Sequence, residues 1–357
     1  MKNLVGDTMK KSISNKFAYL SLVLTIGMVI YHAKWVSNYN ISYLNGFDNS
    51  ILNSYIGFAD HIGFVCMVFF FFASAFWFYR NINSKEELIS KYKKRLKTLL
   101  IPFIAWTIII GIYQIITGQL TFKLSGIFDY LFFNPIAGPL WYILGLFILQ
   151  LFAPIILLIK KNKLVTTGIF SLIIVYVFLR TVGVIPNLLS FPNWWWYNNL
   201  IYYVPAYLIG VYMGMYHSDL LLIKEYNEKK YTYIGIGLLI ISIVFWTYYN
   251  IKALRIIYCF MELIGIWFIF KPKFCEKDIK EFFKSNFYIF SLHNPVLIPI
   301  TNMIIVRYLS KIVTLCGITT VITKLIQIAI IVLISCIIRL LTVKIIPKLD
   351  EYLTGGR

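Results

Sequence analysis

Residues 62–79 read Ile-Gly-Phe-Val-Cys-Met-Val-Phe-Phe-Phe-Phe-Ala-Ser-Ala-Phe-Trp-Phe-Tyr, and none of them carries a charge. Such a stretch has no polar face to offer water. At about 1.5 Å per residue, a helix of this length nearly crosses a hydrocarbon core of about 30 Å. The stretch is too continuous for a barrel strand, whose side chains alternate between lipid and lumen. A helix satisfies its own backbone in lipid, so these residues read as a bilayer-crossing helix.

Outward from it, the same pattern recurs. The apolar runs are Phe17–Trp35, Ile62–Tyr79, Thr98–Ile116, Leu140–Ile159, Val165–Val184, Leu200–Tyr216, Tyr233–Tyr249, Leu254–Phe270, Phe287–Val306 and Val321–Leu341. The sequence therefore predicts an all-α, polytopic membrane helix bundle with about ten transmembrane helices. It reads as a single domain over residues 1–357, with short tails at about 1–16 and 342–357. Composition points the same way. Of 357 residues, 59% are apolar and 14% charged, where soluble domains carry about 25% charged residues. A water-soluble globule of this size has too little interior for that apolar content. The first run is long and lacks a small-residue cleavage signal, so it reads as a retained span and not a signal peptide.

The net charge is +19, from 34 Lys and Arg against 15 Asp and Glu. A nucleic-acid binder gathers such charge on one face or arm of a folded domain. Here the cations gather in alternate breaks between the runs: Arg80–Lys97, Lys160–Lys163, Lys224–Lys230 and Lys271–Lys284. The positive-inside rule assigns those breaks and both termini to the cytoplasm. That makes the chain a multi-pass protein of the cell membrane, and its abundance of Ile, Lys and Asn suits an AT-rich bacterial genome. The outer loops are Val36–His61, Thr117–Pro139 and Gly183–Asn199. In the last of them, Trp194, Trp195, Trp196 and Tyr197 read as an interfacial aromatic belt or as a platform for stacking sugars. Five scattered cysteines suggest neither a disulfide framework nor a metal site. The chain has no G-x-x-x-x-G-K-[ST], H-E-x-x-H or G-x-S-x-G pattern, which disfavours an ATP-driven pump or a zinc protease.

Ionisable groups inside a span are costly, so each is a functional candidate. His32 ends the first span, where a neutral imidazole suits a general base. Its other reading is a histidine hydrogen-bonded between helices. Asp60 and His61 open the second span on the same predicted side. They read as support for His32 or as an interfacial polar pair. Arg95, with Lys94 and Lys97, opens the third span and suits phosphate binding. The positive-inside rule alone also accounts for these cations. Glu262 and His293 are candidates for a cavity within the bundle, or for internal hydrogen bonds. Pro295 breaks the helix beside His293. Depth along the runs sets His293 nearer the cytoplasm and His32 nearer the outside, which argues against direct contact between them.

Five segments in this order resemble the integral-membrane acyltransferase 3 family. They are Val29-Ile30-Tyr31-His32, the aromatic run Phe69-Phe70-Phe71-Phe72-Ala73-Ser74-Ala75-Phe76, Lys94-Arg95-Leu96-Lys97-Thr98-Leu99-Leu100-Ile101-Pro102-Phe103, Gly138-Pro139-Leu140-Trp141-Tyr142-Ile143-Leu144 and Ser291-Leu292-His293. Each is short; their shared order and spacing carry the likeness over most of the chain. The resemblance implies an O-acetyltransferase type of enzyme. It would move an acyl group, often acetyl, from acetyl-CoA or another acyl-CoA to a hydroxyl of a cell-surface sugar, polysaccharide or lipid-linked glycan. This is polysaccharide modification in the cell envelope, with no tightly bound cofactor. His32 takes the place of the family's essential histidine and Arg95 that of its basic site, while Ser74 and Trp141 join the substrate or cavity residues. Two features depart from the pattern: Ala18 and Ser21 replace a polar pair ahead of the histidine, and Ser74-Ala75 replaces Ser-Gly. Two other readings remain, a transporter or flippase for a glycan and a lipid-binding protein without chemistry.

Overall fold

A computed structural model describes residues 2–34, 46–121, 123, 126–185, 195–222, 229–249, 254–270, 281–312 and 315–356. Among these residues the chain is 89% helical, with no strands. The helices are α1 (Lys2–Ala33), α2 (Gly46–Tyr79), α3 (Lys85–Arg95), α4 (Ile101–Ile116), α5 (Trp141–Leu151), α6 (Ala153–Ile159), α7 (Lys163–Thr181) and α8 (Trp195–Tyr216). Then follow α9 (Lys229–Tyr249), α10 (Arg255–Ile269), α11 (Asn286–Leu292), α12 (Ile298–Ile304), α13 (Ser310–Ile312), α14 (Gly317–Ile345) and α15 (Pro347–Thr354).

Every apolar run falls on a helix or a broken helix. Among the described residues, seven helical stretches are long and apolar enough to cross a membrane. An eighth is a pair bent by 43°, Gly138–Leu151 with Ala153–Ile159. Helices α8 and α10 lie outside that set, and α10 is only 15 residues long. Exposure agrees with a lipid surround: only 17% of the apolar window in Lys163–Thr181 is buried, and 11% of that in Lys229–Tyr248. Helices this apolar and this bare face lipid, since water-soluble proteins rarely expose such patches. The chain is a multi-pass membrane protein.

Three expectations about the ends of elements change, and the first is the tail expected at about 1–16, which is helical from Lys2. The second helix begins at Gly46 and not at Ile62, so much of the expected loop Val36–His61 is helical. The expected tail from residue 342 is also helical: α14 runs to Ile345, and α15 follows with Leu353 and Thr354 buried. Apolar content locates a span, but a helix continues past it wherever its backbone finds partners. Trp194 lies outside the described residues, as do the side chains of Trp195 and Tyr197. Trp196 is buried, so it displays no ring at an interface.

The chain divides into two compact units. The first comprises Met1–Leu20, Met67–Tyr92 and Tyr142–Ile279; the second comprises Ser21–Cys66, Lys93–Trp141 and Lys280–Arg357. In the first, Gly210 and Gly214 of α8 lie against the α2 backbone. A Cβ on Gly214 would come within 2.7 Å of the Phe76 carbonyl, and one on Gly210 would strike that of Phe72. This is the small-xxx-small device by which membrane helices approach closely. Lys16 is buried and donates to the Trp267 carbonyl at 2.6 Å, satisfying one of the orphan acceptors in the last turn of α10.

In the second unit the π-helical turns Leu96–Leu100 and His293–Leu297 interrupt the spans. Each is followed by a proline, Pro102 or Pro299, whose ring clashes with the carbonyl four residues back, inside the turn. Helix α15 docks on α4 in this unit, where Trp106 Nε1 donates to the Leu353 carbonyl at 3.0 Å. The Asp48 carboxylate caps α14 by accepting from the Gly317 backbone N–H at 2.8 Å.

Candidate active site

The site starts from the last turn of α1. A Cβ on Gly63 of α2 would lie 2.5 Å from the Tyr31 ring, so only glycine leaves room there for that ring. The seated Tyr31 organises its neighbours. His32 meets it edge-on, with ring centroids 4.8 Å apart. Lys34 lies over its face, 4.1 Å from the centroid. Lys34 is 4% exposed and forms an ion pair with Asp60, which is 43% exposed. The pair thus supplies a carboxylate to an ammonium that has little water of its own.

This changes the part expected of Asp60. Its carboxylate goes to Lys34 and is not hydrogen-bonded to His32. The reason is charge: a full cation two residues beyond His32 outcompetes a neutral imidazole for an anion. His61 is buried at 7% exposure.

The second imidazole comes from the π turn after α11. His293 is fully buried, and its Nδ1 lies 3.0 Å from the Ile289 carbonyl. A carbonyl only accepts, so Nδ1 carries the proton and Nε2 is left with its lone pair. Nε2 is buried and has no hydrogen-bond partner among the described residues. The rings of His32 and His293 lie 5.1 Å apart, inclined at 49°. This overturns the expectation that the two histidines stay apart. Distance from the end of a run measures depth only for a straight span. The run holding His293 is broken instead into α11, a π turn, α12 and a second π turn, Ile305–Leu309. Beside His293, Asn294 lies next to the turn leading to Trp141. Its Nδ2 would be 3.5 Å from a Cβ on Gly138, and Trp141 is buried.

The other candidates are placed as follows. Arg95 is the last residue of α3, partly buried, immediately before the π turn. Lys94 is exposed. Lys97 Nζ donates to Glu351 Oε1 of α15 at 2.8 Å, and the ammonium beside Glu351 holds its carboxyl below the usual carboxylate range. Ser74 and Glu262 belong to the first unit. Glu262, 6% exposed, accepts a hydrogen bond from Ser242 Oγ at 2.8 Å and so ties α10 to α9.

Several in-span cations that the same rule would have found escaped the sequence reading, among them Lys324 and Arg339, both inside Val321–Leu341. Lys324 is fully buried and donates to Gln327 Oε1 at 3.2 Å and Asn302 Oδ1 at 3.4 Å. Arg339 donates to the Glu281 carbonyl at 2.8 Å and lies 3.6 Å from the Asp350 carboxylate, fastening α15 to the unit.

Two neighbouring imidazoles, one with a free lone pair, suit proton transfer at a hydroxyl or thiol. Comparison with known families matches residues 18–340 to a family described as an acyltransferase domain. No curated protein and no solved structure matches the chain.

Proposed function

The chain belongs to the acyltransferase 3 family, and from that premise we propose that it moves an acyl group, acetyl above all, from acyl-CoA to a sugar hydroxyl at the His32–His293 pair. The acceptor is a cell-surface sugar, polysaccharide or lipid-linked glycan, and the setting is a bacterial cytoplasmic membrane with both termini inside. The contact between the two rings carries this reading, because it sets a second imidazole beside the histidine that the family motif singles out.

The steps follow from the chemistry. His32 takes the proton of the acceptor hydroxyl as its oxygen attacks the thioester carbonyl carbon. The carbon–oxygen bond forms, and the tetrahedral oxyanion collapses by breaking the carbon–sulfur bond. The protonated imidazole returns its proton to the departing thiolate. His293, its tautomer held by the Ile289 carbonyl, presents Nε2 as an acceptor that orients the proton-bearing group beside it. Arg95, Lys94 and Lys97 serve the phosphates of the donor. Lys97 does so by exchanging its exposed pairing with Glu351 for phosphate, a small loss, since exposed ion pairs contribute little.

The test is transfer of labelled acetyl from acetyl-CoA to a glycan acceptor in membranes holding the full chain. His32→Ala lowers the rate by about 10²–10⁴. Transfer that survives this substitution removes His32 from the mechanism. Movement of a lipid-linked glycan without any acylation would instead favour a transporter.

A further inference from the structure

Helix α2 ends in the first unit in a way that leaves a polar hollow. The Arg80 backbone N–H still bonds the Phe76 carbonyl at 3.0 Å. Asn81 then turns the chain with φ of 60°, a left-handed conformation that asparagine tolerates and most side chains avoid. Helix α3 restarts at once through a capping box, with Glu87 N–H donating to Ser84 Oγ at 3.2 Å and Ser84 N–H to Glu87 Oε2 at 3.1 Å. Between the end of one helix and the flank of the next lies a cavity of about 290 Å³, lined by Ser14, Trp77, Arg80, Asn81 and Lys91.

None of those five side chains is acidic, and two are cationic. Lys91 Nζ is steered there by the carbonyls of Trp77 at 2.9 Å and Arg80 at 3.1 Å. Both of these acceptors are neutral carbonyls. The Arg80 guanidinium lies 5.2 Å from the centre of the Trp77 ring. Its Nε is buried and has no hydrogen-bond partner among the described residues. A buried donor left unmade is costly, and a lining with two cations and no acidic side chain favours an anionic, acceptor-rich ligand.

We propose that this pocket binds a phosphate-bearing ligand, its oxygens shared among the Arg80 fork, the Lys91 ammonium, the Asn81 amide and the Ser14 hydroxyl. Phosphate fits this lining better than a carboxylate does. Two cations and two neutral donors arrive from separate elements, which matches a tetrahedral anion with several oxygens, while a carboxylate offers two. The inference goes beyond the acyl-transfer reading. It concerns other residues than Arg95, Lys94 and Lys97, and it does not require His32 to turn over.

The test is binding by titration calorimetry to the full chain in zwitterionic-lipid nanodiscs. The probes are inorganic pyrophosphate and coenzyme A, with acetate as the carboxylate control. A third arm adds phosphatidic acid to the nanodiscs and reads competition with pyrophosphate. Arg80→Gln weakens pyrophosphate about tenfold to a hundredfold, as for loss of a charged hydrogen bond. Arg80→Lys retains more of the affinity, and the melting temperature of each variant checks that it is folded. Raised salt weakens binding throughout. Whichever carrier shows the Arg80 dependence names the source of the phosphate. Wild-type protein that binds no pyrophosphate, a folded Arg80→Gln variant that binds it unchanged, or equal competition by acetate overturns the proposal. Because binding is read and not turnover, such a failure leaves the acyl-transfer reading standing, and a failure of His32→Ala to lower transfer leaves this one standing.

Discussion

His293 and Glu262 are both ionisable groups buried inside helices, and they differ in what they have left over. Glu262, in the first unit, is taken up by Ser242 on the neighbouring helix. His293, in the second, spends Nδ1 on a backbone carbonyl and keeps Nε2 without a partner beside another imidazole. Both meet the rule that buried polar groups are costly. The lesson is that burial alone does not mark a reacting group. A group whose hydrogen-bonding capacity is spent holds helices together; a group with an unused lone pair next to a second titratable group can move a proton.

The contrast breaks most readily at the histidines. His32→Ala and His293→Ala should each cut acyl transfer sharply, His32→Ala by about 10²–10⁴. Thermal melting should move little for His32→Ala, whose ring lies at the end of α1. Full activity in His293→Ala would mean that its open nitrogen has no part. Next comes Gly63→Ala. The added methyl must displace the Tyr31 ring, and with it His32, at an overpacking cost of about 1–3 kcal/mol. A tenfold to hundredfold loss in kcat/KM is expected, since a shift of about 1 Å can cost that much. Unchanged kinetics would show that Tyr31 does not position the imidazole.

Asp60→Asn sharpens the comparison further. It leaves the nearly buried Lys34 ammonium without its carboxylate, and stability should fall by about 1–3 kcal/mol in a denaturant titration. The effect on transfer should be smaller than for His32→Ala, because Asp60 serves Lys34. Glu262→Gln and Ser242→Ala test the other side. A double-mutant cycle should give a coupling of about 0.6 kcal/mol, as is usual for hydrogen bonds between membrane helices, with activity within about twofold of wild type. A hundredfold loss in a folded Glu262→Gln protein would place Glu262 in the chemistry after all.

The smallest effect belongs to pH. The carboxyl of Glu351 is lowered by its hydrogen bond to Lys97, and that of Glu281 by Lys284 first and then by Arg339. A lowered carboxyl contributes stability that is present above the unfolded value of about 4.3 and is lost as pH falls through the folded value. Both groups are largely exposed, so the change is slight. It should appear as faster amide exchange in α15 below about pH 4, and it should vanish in Glu351→Gln combined with Glu281→Gln.

A proline and a cation cluster show how close the sequence comes to the site without reaching it. Pro295 marks a break beside His293, and a π turn stands there. Neither the proline nor the run of apolar residues around it tells how far that turn carries the ring toward α1. In the same way, the positive cluster at Lys94, Arg95 and Lys97 is plain in the sequence, whereas the partner of Lys97 lies 254 residues away.

What the amino-acid order determined by itself is the all-helical membrane character and the family. Apolar content and backbone satisfaction in lipid are local properties, readable about 20 residues at a time. Which polar groups meet was decided only by tertiary structure. His32 finds His293, Asp60 is claimed by Lys34, and Arg80 is left with a donor to satisfy. Each outcome depends on helix ends, π turns and close glycine contacts, where differences of a few ångströms separate a spent group from a usable one.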